Sequence, residues 1–167
     1  MSSDKLHFET LQIHGGYHVD QSQARGIAIH PTAAYHFPSC DYAANLFTLS
    51  EPGYIYTRLH NPTTAAYEER IAALYGGVGA LATSSGMSAI LLTVTSLAKQ
   101  GDNIVTSPYL YGGTHNQFVI SLRNLGIDCR MATSDNAQDM AGLIDDKTRA
   151  IFVESMGNPT CRVADIE

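Results

Sequence analysis

Four stretches of the 167-residue chain combine residue types that could do chemistry. The first, Thr83-Ser84-Ser85-Gly86-Met87, leads from a short apolar run into a helical pattern. Small residues let the backbone approach a ligand, and a helix start offers unpaired N–H groups at its positive dipole end, which together cradle a phosphate. A tight strand-to-helix turn with a serine cap explains the same residues. The second is Ser107-Pro108-Tyr109-Leu110-Tyr111-Gly112-Gly113-Thr114. A tyrosine before two glycines can lie flat on a planar ligand. A phenol titrates near pH 10, so proton transfer by Tyr111 would need a nearby cation; a purely packing tyrosine is the other reading. The third is Glu154-Ser155-Met156-Gly157-Asn158-Pro159, where Asn158 either presents its amide to a ligand oxygen or simply forms a turn. The fourth is Tyr54-Ile55-Tyr56-Thr57-Arg58. A guanidinium fork and a phenol hydroxyl suit a phosphate, and an exposed arginine beside an aromatic run is the plainer alternative.

Other chemistries find less support. No GxxxxGK[ST] run occurs, so the Ser85 loop is not a Walker motif. His14 and His18 are four apart, but Gly15-Gly16 between them argues against a helix that would align them. The remaining histidines show no ligand spacing, and no metal site is assigned. Ser84 and Ser85 lack the flanking glycines of a nucleophile elbow. Cys40, Cys129 and Cys161 are odd in number and far apart, fitting neither a disulfide framework nor a zinc motif. A reducing, cytoplasmic location is expected.

The elements that must position these loops begin at Asn61-Pro62, an N-cap followed by proline at the first helical position. Tyr67, Ile71, Leu74 and Tyr75 follow at helical spacing, and Gly76-Gly77 ends the helix. Alternation comes next: a strand over Ala80–Thr83, a helix over Met87–Leu97, a strand over Asn103–Thr106 and a helix over Thr114–Leu125. A strand over Ile127–Ala132, a helix over Asn136–Ile144 and a strand over Ala150–Glu154 complete it. Such alternation predicts an α/β domain with a largely parallel sheet. Ligands of these sheets gather beyond the carboxyl ends of the strands, where the first three loops fall. Residues 1–60 show no sustained period and are punctuated by Gly and Pro. They read either as a partly ordered arm or as a segment that packs on something else, such as a second subunit. The expected division is therefore an arm over 1–60 and an α/β domain over 61–167. Its last strand lacks a covering helix before Glu167, which implies an unfinished domain.

Composition closes off further classes. Ten basic against sixteen acidic residues leave a net charge of −6, which argues against nucleic-acid binding but not against a small phosphorylated anion. No run approaches the roughly 18 apolar residues of a membrane span. The first ten residues lack the basic flank and apolar run of a signal peptide.

Taken together, GYIYTRLHNPT, ALATSSGMSAI, LYGGTHNQF and IFVESMGNPT, in this order, closely resemble the Cys/Met-metabolism family of pyridoxal phosphate (PLP) enzymes. FETLQIHGG, LSEPGYIYTR, IAALYGGVGALATSSGM and DDKTRAIFVES are most similar to its O-acetylhomoserine sulfhydrylase branch. The resemblance runs from Phe8 to Glu167. It implies the type I PLP-dependent transferase fold, with the arm against a partner subunit in a homodimer or dimer of dimers. It makes Ser85, Gly86 and Met87 phosphate ligands, joined by Tyr56 and Arg58 from the neighbouring subunit. Tyr111 would stack on the pyridine ring and serve in proton or leaving-group chemistry. Asn158 would sit near the ring's phenolic oxygen, with Glu154 supporting that loop.

The implied reaction is γ-replacement on the amino acid O-acetyl-L-homoserine, sulfide or a thiol displacing acetate, with PLP as electron sink. Methionine γ-lyase and cystathionine γ-synthase activities, or a non-catalytic partner module, are the alternatives. Family members extend well beyond Glu167, and Lys5, Lys99 and Lys147 do not occupy the Schiff-base lysine motif. The resemblance therefore implies the N-terminal part of such an enzyme, inactive by itself.

Overall fold

The computed structural model describes residues 6–166. Residues 1–5 and Glu167 lie outside them, so the expectations about the first ten residues and Lys5 fall partly there. The chain divides into two compact units, residues 1–82 and 83–167. The change of texture at residue 60 does not coincide with this division.

The first unit holds α1 (Phe8–His14), α2 (Cys40–Phe47) and α3 (Pro62–Tyr75). Neither α1 nor α2 was legible as a period, because each spans only about two turns. Asn61 caps α3 as expected: its side chain accepts from the Thr63 N–H, Pro62 begins the helix, and Gly76 ends it at φ +64°. The Asn61 amide also donates to the His30 carbonyl and to Thr57 Oγ1, which satisfies a buried polar residue. α3 joins the arm rather than the sheet because it packs on α1. Arg70 of α3 donates to the carbonyls of Gly15 (2.7 Å) and Ile13 (3.1 Å), capping the end of α1. Gly16 is required there, at φ +66°, since a Cβ would lie 2.1 Å from the Ala66 carbonyl oxygen. Tyr56 pairs with Ala34 as an isolated antiparallel bridge.

The second unit holds α4 (Gly86–Leu97), β1 (Asn103–Thr106), α5 (Gly112–Asn116), β2 (Asp128–Met131), α6 (Ala137–Ala141) and β3 (Thr148–Phe152). The strands form a parallel sheet in the order β2-β1-β3, as the alternation predicted. β1 is central and buried throughout: Ile104 and Val105 are apolar, and the polar Asn103 and Thr106 at its two ends are buried with hydrogen bonds to Asp145 and to the Phe152 carbonyl. Val94 of α4 and Ala98, the C-cap just after it, pack with Ile104, Leu110, Phe118, Leu122 and Ile127 to form the core. Phe118 meets Phe152 edge-on at 5.0 Å.

The last helix, α6, is shorter than expected and β3 begins and ends two residues earlier, and two further elements differ in kind. Residues 80–83 are not a strand. A strand exists through the ladder of a neighbour, and none pairs with this run among the described residues. The helix expected over Thr114–Leu125 begins at Gly112 and passes into a π-helical segment, Gln117–Leu122, which spacing cannot distinguish from α.

Asp145 staples the amino ends of β1 and β3 and holds the side chain of Arg130 on β2. Its carboxylate accepts from Asn103 at the start of β1 (2.8 Å) and from Arg130 on β2 (2.7 Å). It also accepts from the Lys147 N–H, and Thr148 at the start of β3 bonds to Asn103 Oδ1. The bonds from Asn103, Arg130 and Lys147, in that order, hold the Asp145 carboxyl well below its ordinary value of 3.8. A carboxyl depressed on folding stabilises the folded state above its unfolded pKa, and loses that contribution as pH falls through the folded value. Stability should therefore decline on acidification below about pH 4. Denaturant midpoints measured across that range should show a smaller decline in Asp145→Asn than in the parent.

Candidate functional site

Parallel strands send their carboxyl ends to one edge of the sheet, so the loops following β1, β2 and β3 gather there. Glu154, just after β3, joins two of these loops. One carboxylate oxygen accepts from the Tyr111 N–H and the other from the Thr114 hydroxyl, each at 3.0 Å. Tyr111 is the N-cap of α5 and has no capping side chain of its own, so Glu154 supplies the acceptor and a negative charge at that helix end. The Tyr111 ring is 48% exposed and free to meet a ligand.

The first turn of α4 lies beside the same helix end. Gln117 donates from Nε2 to the Met87 carbonyl at 3.0 Å. A Cβ on Gly113 would stand 2.6 Å from the Tyr111 ring and 3.3 Å from Met87 Sδ, so glycine keeps the two loops in contact. Ser85 caps α4, its hydroxyl accepting from the Ser88 N–H at 3.1 Å. That bond leaves the N–H groups of Ser85, Gly86 and Met87 without a partner among the described residues. A Cβ placed on Gly86 would meet nothing within 4 Å, so the space before these donors is open. The Ser85 side chain is committed to the helix; its backbone is what faces outward chemically.

Asn158 stands in a turn closed by hydrogen bonds from the Gly157 N–H to the Arg162 carbonyl (2.8 Å) and from the Cys161 N–H to the Gly157 carbonyl (2.7 Å). It is exposed, and its amide makes no hydrogen bond among the described residues. Ser85, Gly86, Met87, Tyr111 and Asn158 thus all belong to the second unit. Tyr56 and Arg58 belong to the first. There the Arg58 guanidinium lies 5.7 Å from the centre of the Tyr56 ring and pairs with no carboxylate among the described residues. His14 ends α1, and His18 bonds to Glu69 at 2.6 Å, so the two share no helix face. Burial pushes the Cys129 thiol up to about 11, which leaves it protonated and unreactive at neutral pH.

Spacing missed three participants at this edge: Gln117, Asp135 and Arg162. Asp135 is 9% exposed and accepts a two-pronged hydrogen bond from Arg162. A lone Asp and a lone Arg separated by 27 residues carry no local signal, because only the fold brings them together.

The arrangement fits a ligand with a phosphate and a planar ring, as PLP has. Three N–H groups await an anion at the start of a 12-residue helix, and an exposed aromatic face stands beside them. The model of Cys/Met metabolism PLP-dependent enzymes matches residues 9–167. The chain is 49% identical to a homocysteine synthase of Schizosaccharomyces pombe, spanning 100% of this chain and 39% of that protein. It is also 49% identical to O-acetyl-L-homoserine sulfhydrylase 1 of Thermus thermophilus, over 97% of this chain and 39% of the relative. Among solved structures, it superposes with TM-score 0.90 on a protein described as an O-acetylhomoserine (thiol)-lyase of Campylobacter jejuni, which contains N′-pyridoxyl-lysine-5′-monophosphate. Identity there is 38%, over 97% of this chain and 40% of that one. The metB protein of Corynebacterium glutamicum gives TM-score 0.87 at 29% identity, over 99% and 42% of the two chains. The chain spans about two-fifths of the length of the curated relatives named here.

Replacing Glu154 tests the edge directly. Glu154→Ala removes the acceptor of both the Tyr111 N–H and the Thr114 hydroxyl. It should destabilise the protein by about 1.5–3 kcal/mol, the range for hydrogen bonds to a charged group, measured by urea unfolding.

Proposed function

Because the chain belongs to the family of Cys/Met metabolism PLP-dependent enzymes, we propose that residues 83–167 hold the phosphate and ring face of PLP in an O-acetyl-L-homoserine sulfhydrylase. The whole enzyme then joins sulfide or a thiol to the γ-carbon of O-acetyl-L-homoserine and releases acetate, a step of methionine biosynthesis. The observation that carries this reading is the set of free N–H groups on Ser85, Gly86 and Met87 beside the Glu154-anchored Tyr111. When bound, PLP supplies an electron sink for charge developing on the amino-acid substrate.

Each residue has a distinct task. The α4 N-terminus binds the phosphate through backbone donors and its dipole, whose positive end favours an anion there. The Tyr111 ring covers one face of the cofactor, and its hydroxyl gives or takes a proton at the reacting carbon or leaving group. Asn158 offers an uncommitted amide to the ring's phenolic oxygen. Lys99 and Lys147 stand outside the family's lysine motif, so this 167-residue stretch is assigned binding and orientation, not covalent attachment.

Tyr56 and Arg58 act on the phosphate of a neighbouring subunit in a homodimer or dimer of dimers. Support comes from the guanidinium, which has no carboxylate partner among the described residues. The first unit also exposes Leu59, Tyr67 and Tyr75, apolar surface suited to cover by another chain. Among the described residues no helix is long and apolar enough to cross a membrane. Free thiols at Cys40, Cys129 and Cys161 fit a reducing cytoplasm.

Three outcomes test the reading. In the whole enzyme, Arg58→Ala should weaken PLP binding about 10- to 150-fold, as loss of about 1.5–3 kcal/mol implies, read by cofactor titration. Mixed dimers of Arg58→Ala with a Tyr111-dead subunit should regain activity if Arg58 acts across the interface. Tyr111→Phe keeps the ring and removes only the hydroxyl. It should leave PLP bound while slowing homocysteine formation about 10²–10⁴-fold, followed by steady-state kinetics. Unchanged PLP affinity in Arg58→Ala, or unchanged turnover in Tyr111→Phe, would remove the corresponding assignment.

A further inference from the structure

The loop after β3 is anchored at both ends, and Asn158 stands midway. At its start, Glu154 holds the Tyr111 N–H and the Thr114 hydroxyl. At its end, Arg162 donates a fork to Asp135, Nε to Oδ2 at 2.8 Å and Nη2 to Oδ1 at 2.7 Å. The same guanidinium lies over the Tyr109 ring, 4.5 Å from its centre. Tyr109 follows β1 and Asp135 follows β2, so one side chain ties together the loops after all three strands.

The turn itself rests on the β1 loop. A Cβ on Gly157 would lie 3.0 Å from the Tyr109 carbonyl oxygen, leaving little room for a side chain there. The Arg162 carbonyl accepts from the Gly157 N–H, so its backbone closes the turn while its side chain fastens it. Burial of apolar surface does not explain this residue. Its side chain is 48% exposed and lies outside the core cluster. The contacts suit arginine, whose planar fork pairs with both carboxylate oxygens while its face lies over a ring, a combination that a lysine ammonium cannot supply.

We propose that Arg162 is a positioning residue, whose clamp on Asp135 and Tyr109 sets the place of Asn158 relative to Tyr111. It rests on the reading of the site given above. Arg162 touches neither substrate nor cofactor in this role; it determines where the Asn158 amide is presented.

The test uses the whole PLP-loaded enzyme and measures both the absorption spectrum of bound PLP and its affinity. Arg162→Lys keeps the charge but removes the fork and the stacking. It should weaken PLP binding about 5- to 30-fold and shift the absorption maximum in the direction produced by Asn158→Ala. Placed in the Asn158→Ala background, the same substitution should change affinity less than about 2-fold, since residues of one network are not additive. Full additivity, or a parent-like spectrum and affinity in Arg162→Lys, overturns the proposal. Asp135→Asn keeps the size of the partner and removes its charge. It is read by the same criteria if Arg162→Lys fails to fold. A parent enzyme that binds no PLP would overturn the site reading and the proposal with it. Parent-like variants beside a PLP-binding parent overturn the proposal alone.

Discussion

The double pairing of β1 is the constraint on which the second unit depends. β1 takes β2 on one edge and β3 on the other, both parallel, and is buried along its whole length. Parallel pairing orients every strand the same way, so the loops that follow them meet on one side without further instruction. The Asp145 network fastens the opposite edge by tying together Asn103, Arg130, Lys147 and Thr148. One edge is thus closed by satisfied polar groups, and the other is left open for chemistry. The core between Val94 and Ile127 holds both in place.

At the open edge, hydrogen-bond donors are placed by removing their other options. Ser85 caps α4 with its side chain, and the N–H groups of Ser85, Gly86 and Met87 remain unpartnered. Gln117 and Gly113 then set how closely that turn approaches Tyr111. Gln117 Oε1 is buried without a hydrogen-bond partner among the described residues, an uncommon state for a polar atom in a core. It sits where the helix turns from α to π, and π segments occur frequently at functional sites. The first unit solves a different problem. Arg70 closes the end of α1 and Gly16 permits its close approach to α3, which makes an arm of short helices a defined structure.

Much of this was legible in the residues. Asn61-Pro62 and Gly76 announce a helix because capping is local chemistry, fixed by an amide, a ring and a missing Cβ. The strand at Asn103–Thr106 was read to the residue, since a short run with apolar residues at its centre, Ile104 and Val105, between turn signals has few other uses. The run at 80–83 had the same appearance but forms no ladder among the described residues, and a ladder is a property of two segments. α1 and α2 escaped notice because two turns hold too few residues to establish a period.

What the sequence by itself determined is the alternation of elements, the caps, and the ordered motifs that place the chain among PLP-dependent enzymes of Cys/Met metabolism. These depend on residues within a few positions of one another, or on motifs recognisable as strings. Only the tertiary structure decided that α3 belongs with the arm, that Glu154 anchors Tyr111, and that Arg162 reaches Asp135 and Tyr109. Each of those contacts joins residues tens of positions apart. Their energy comes from short-range hydrogen bonding and packing, which act only once the chain has been folded back on itself, so no local pattern could announce them.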